Sequence, residues 1–83
     1  MSKKIKHSYY VVMVDLGQLG LEAIVQPEIT RRNVIDRIKS GEYRDVVFIH
    51  HVDDLLVEDV TAELIDAAEQ ELKDEHRERR ELV

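Results

Sequence analysis

Residues 46–49 read Val-Val-Phe-Ile, an uninterrupted apolar run inside the segment YRDVVFIHHVDD from Tyr43 to Asp54. Side chains alternate across a strand, so such a run is apolar on both faces and belongs in the body of a sheet. Tyr9 to Val14 has the same character, because Tyr10, Val12 and Val14 are as apolar as Tyr9, Val11 and Met13. Two such strands need cover, and the chain is short of material to provide it. At 83 residues it makes one domain. A domain of that size buries only about 60–65% of its unfolded surface, and small cores are often supplemented by disulfides, a metal or self-association. There is no cysteine, which excludes disulfides and thiolate metal sites and leaves self-association or a non-thiolate metal.

Around these two strands the remaining pattern predicts three more elements. Leu16-Gly17-Gln18-Leu19-Gly20 supplies two glycines for a hairpin loop, and Leu21 to Gln26 resumes a period of two with Leu21, Ala23 and Val25 on one side. Pro27 ends that strand. Thr30 is placed to cap a helix that carries Val34, Ile35 and Ile38 and stops at Gly41, with Ile29 and Val34 spaced as a hydrophobic staple. Thr61 is placed to cap a second helix with Val60 stapled to Ile65 and an apolar stripe of Leu64, Ile65, Ala68 and Leu72. The order is β-β-α-β-α. Residues 1–7 read as a basic arm and 73–83 as a charged extension of the last helix, both expected to be mobile.

The fold class expected is α+β: two layers, a three-stranded, mainly antiparallel sheet in the order 2-1-3, and two helices on one face. The expected core is Val12, Val14, Val47, Ile49, Val34, Ile38, Leu64, Ile65 and Leu72. Tyr9, Val11, Met13 and Phe48 then lie on the opposite sheet face, uncovered, and are the interface candidates; a register shift of one residue would exchange the two faces of the third strand. An apolar patch of that kind calls for a homodimer or a protein partner.

The histidine pair is the densest cluster of ligand types. Alternation places His51 and Asp53 on one face and His50 and Val52 on the other, so HHVDD does not converge as a unit on one ion. His50, His51 and Asp53 remain the ligand candidates, with His7 as a third imidazole. The expectation is a strand end that opens into a loop at Asp53 and Asp54, and no metal or cofactor is assigned. Gly17 and Gly20 lack the lysine and the following helix of a phosphate loop, and Ser2, Ser8 and Ser40 lie outside any nucleophile elbow. Arg31 and Arg32 sit unfavourably at a helix N-terminus, with Glu28 and Asp36 as the nearest compensating carboxylates.

The net charge is −6, which argues against a general nucleic-acid binder. Its acidic share is concentrated between Asp53 and Glu75. No apolar stretch is long enough for a membrane span, and the expected location is cytoplasmic.

Three segments resemble a group of small uncharacterised bacterial proteins: Asp15 to Gly20, Val34-Ile35 with Ser40 to Tyr43, and Asp59 to Glu63. The resemblance implies no activity, cofactor or binding residue. The leading expectation is therefore a non-enzymatic interaction module that self-associates through its apolar sheet face. The alternatives are an acidic inhibitor or nucleic-acid mimic that meets a basic protein through the last helix, and a small-ligand or metal binder at His50, His51 and Asp53.

Overall fold

The computed structural model describes residues 8–25 and 29–81, the side chains only as far as residue 77. It is an α+β fold: an open antiparallel sheet with two helices. In chain order the elements are β1 (Ser8–Asp15), β2 (Leu21–Val25), α1 (Arg31–Lys39), β3 (Val46–Asp53), β4 (Leu56–Asp59) and α2 (Thr61–Glu81), with a single 3-10 turn at Gly17–Leu19 in the first hairpin. The basic arm of residues 1–7, Gln26 to Glu28 and the last two residues lie outside the described set.

The sheet has four strands in the order β2-β1-β3-β4, not three. The expected 2-1-3 core of that order is present, with β1 antiparallel to both its neighbours. The extra strand arises where a loop was expected. Asp53 pairs with Leu56, so Asp54 and Leu55 make a two-residue turn, and Asp54 takes a φ of 54°. Aspartate tolerates that left-handed conformation better than most residues, which lets Asp54 close a hairpin with Leu55 as the second turn residue, turned fully out to solvent. All four residues of β4 are exposed, so the segment has no buried face to announce it.

α1 forms as its sequence predicts. Thr30 is extended and its hydroxyl accepts from the Asn33 amide at 3.2 Å; Ile29 is buried before it, and Gly41 leaves the helix at a φ of 82°. α2 differs by one position. Its first residue is Thr61, with the Leu64 amide bonded to the Val60 carbonyl, and Asp59 accepts from the Thr61 amide at 3.0 Å. The Thr61 hydroxyl instead accepts from the Ile49 amide of β3 at 2.8 Å and thereby ties helix to sheet.

The core is one cluster of Val12, Val14, Ile29, Val34, Ile35, Tyr43, Ile49, Leu64 and Ala68, with Ile38 and Ile65 packed at its margin. Val12, Val14 and Ile49 face the helices as expected. Two of the expected core residues do not. Val47 is 48% exposed because the register slips: Met13 pairs with Phe48 and Val14 with Val46, leaving Val47 as the extra residue of a β-bulge. Leu72 is 44% exposed because no buried side chain of α2 lies beyond Ala68 among the described residues. A helix of 21 residues runs about 31 Å, more than twice the length of the nine-residue α1 beside it. Ile29, Ile35, Tyr43 and Ala68 belong to the core in addition to the expected residues. No helix among the described residues is long and apolar enough to cross a membrane.

Candidate functional site

The two helices cover one side of the sheet, and the register defines what the other side presents. Tyr9 lies beside Val52, which lies beside Val57; Val11 sits between Val25 and His50; Met13 sits between Ala23 and Phe48; Asp15 lies beside Leu21. Tyr9, Val11, Met13 and Phe48, the interface candidates, are therefore brought together on a single face. They are half-buried by one another, while the flanking Leu21, Val25 and Val57 are 61%, 47% and 60% exposed. The contributions of β2 and β4 to this face were not legible as a site. Leu21, Ala23 and Val25 did show a common side, but β4 carried no strand signal.

The ligand candidates are divided by the same alternation. His50 is on the open face, stacked on Phe48 with ring centroids 4.0 Å apart. His51 is on the helix-covered face, stacked on Tyr10 at 4.6 Å, with Nε2 2.9 Å from the Ser8 hydroxyl. Asp53 shares the His51 face at the strand end. Among the described residues no three histidine, aspartate or glutamate side chains are grouped as a metal site, and His7 lies outside them. The contact between Ser8 and His51 was missed by sequence reading, since it joins positions 43 apart. The amides flanking it belong to the β1–β3 ladder, which leaves the hydroxyl and imidazole as a cross-strand tie. Burial pushes the Tyr10 phenol above its ordinary value. Asp59, next to His50, is held below the usual carboxylate range, first by the Thr61 hydroxyl, then by the Thr61 amide and to a smaller extent by His50.

The acidic run of α2 is partly occupied from within the molecule. Arg32 donates from both terminal nitrogens to Glu71, at 3.0 and 2.6 Å, and from Nε to Asp36 at 3.2 Å. Lys39 donates to Glu71 at 3.1 Å and to Glu75 at 3.0 Å. Asp36 thus compensates Arg32 as its spacing predicts, whereas Glu71 was beyond the reach of a local pattern. These cations clamp α1 against α2 and hold the Glu71 carboxyl at about 2, down from 4.5, through the Arg32 hydrogen bonds first and those of Lys39 second. Because the folded value is the lower one, the stabilisation is complete above pH 4.5 and is lost as pH falls through about 2. Glu71→Gln should therefore melt below the wild type at neutral pH, and the gap should narrow across that acid window. A gap that stays constant from neutral pH to pH 2 would assign the effect to something other than the carboxylate.

No protein-family model matches the chain, and neither the curated proteins nor the solved structures searched include one that matches it.

Proposed function

We propose that the protein is a non-enzymatic interaction module that self-associates through the open face of its sheet. The supporting observation is that face itself: Tyr9, Val11, Met13, Phe48 and Val52 form its centre, with Leu21, Val25 and Val57 at its margin. At ~4.8 Å between strands and ~3.3 Å per residue, the residues of the four strands span about 400 Å² of projected area, of which the apolar positions, with Asp15, His50 and Asp59 left out, make about 300 Å². Contiguous apolar patches beyond a few hundred Å² mark interaction sites. A second copy is the occupant favoured by charge. Asp59 and His50 are adjacent on this face, and across a two-fold axis the carboxylate of one copy can meet the imidazole of the other as hydrogen-bonded neighbours.

The test is the mass in solution of Phe48→Asp by light scattering, with circular dichroism to establish that the variant is folded. The expected result is a smaller particle than the wild type. Val57→Lys, at an already exposed position, serves if Phe48→Asp does not fold. An unchanged mass in a folded variant would overturn the proposal.

A further inference from the structure

The sheet has two edges, and they differ. β4 ends one side with Glu58 and Asp59, charges of a kind that discourage strand addition. β2 ends the other side as Leu-Glu-Ala-Ile-Val, mostly exposed and with one charge. Its unpaired main-chain groups can be assigned. The Leu16 amide bonds to the Gly20 carbonyl at 2.7 Å, and the Asp15 amide turns the other way to Asp45 at 3.0 Å. Antiparallel pairs alternate, so Val14 with Glu22 and Val12 with Ile24 are the hydrogen-bonded pairs. Leu21, Ala23 and Val25 consequently direct their N–H and C=O groups outward.

We infer that a second copy adds antiparallel along this edge, with Ala23 of each chain on the two-fold axis. This deepens the self-association reading while using a different surface. In that register Glu22 lies opposite Ile24 of the second copy and Leu21 opposite its Val25, so no like charges meet and the apolar rows continue across the junction. The same operation on β4 performs worse. Centred on Glu58 it sets that residue against itself, and in any register the strand brings two charges in four residues where β2 brings one in five. Pairing through Leu21, Ala23 and Val25 adds ~6 main-chain hydrogen bonds. It also joins two open faces into one of about 800 Å² projected, twice the area a single copy presents. The doubled sheet ends on β4 at both sides, where the acidic residues stop further addition. Two doubled sheets closing face to face give four copies.

Light scattering on the full chain separates the two surfaces. The wild type should be four chains, Phe48→Asp two, Ala23→Pro two and the double variant one. Proline is chosen because the Ala23 amide points away from β1, so β1–β2 pairing survives its loss. Hydrogen exchange supplies a readout on the unmutated protein: the amides of Leu21, Ala23 and Val25 should be protected in the assembly. If Ala23→Pro keeps the wild-type mass, or if those three amides exchange as freely as an open edge, the edge pairing is wrong. Loss of mass in Phe48→Asp alone leaves the face reading standing without it. Loss in Ala23→Pro alone does the reverse, and a wild-type monomer removes both.

Discussion

Ile49→Ala should lower stability by about 3 kcal/mol, which for a domain of this length moves the melting temperature by more than ~10 °C. Ile49 is fully buried and pairs with Val12, which is equally buried; together with Leu64 they form the contact between sheet and helices. Removing three carbons there opens a cavity that neighbours on two layers cannot jointly fill. Two residues away in the same strand, Val47→Ala should cost less than about 1 kcal/mol, since the bulge has already turned that side chain out of the core. The pair of melts, taken at one protein concentration, tests the register: equal losses at the two positions would mean that no bulge separates them.

Thr61→Val should cost about 1–3 kcal/mol, although the two side chains have nearly the same shape. The hydroxyl accepts from the Ile49 amide and donates to Asp59, so valine leaves a half-buried β3 amide without its acceptor and leaves the carboxylate that caps α2 held by the residue 61 amide alone. Thr61→Ser should recover most of the loss. The decisive measurement is exchange at Ile49. Its amide should lose protection in the valine variant ahead of the rest of β3, and retained protection there would show that the hydroxyl is not its partner.

These two residues also show what the sequence makes legible. Ile49 could be separated from Phe48 because strand alternation is local, but which of the two turned inward rested on register, since a shift of one residue exchanges the faces; the pairing of Ile49 with Val12 decides it. Thr61 could be recognised as part of a helix start, but not as a tie to a strand twelve residues earlier, because that depends on the path of the chain between them. Val47 failed for a related reason. A bulge is a property of two strands in register, and nothing in Val46-Val47-Phe48-Ile49 says which one steps aside. β4 failed because an exposed edge strand needs no apolar period. For the candidate site, Tyr9, Val11 and Met13 could be assigned to one face from alternation alone, while Phe48 joined them only through a choice of register; the separation of His50 from His51 was legible and the stacking of each on an aromatic ring was not. Glu71 illustrates the limit for charges: its partners Arg32 and Lys39 are more than thirty residues away.

The bulge at Val47 has a consequence for shape. An extra residue on one strand sharpens the right-handed twist where it occurs, and here it lies in a central strand, at the end of the sheet nearest Asp15. Twist of that kind makes an open sheet surface saddle-shaped rather than planar, so that a flat object laid against it touches along a diagonal. A sheet of the same hand, rotated by about 30°, follows the curvature throughout. On the proposed self-association, discrimination can thus be geometric before any side chain is compared, with the extra valine in β3 setting the curvature that a second copy would have to match.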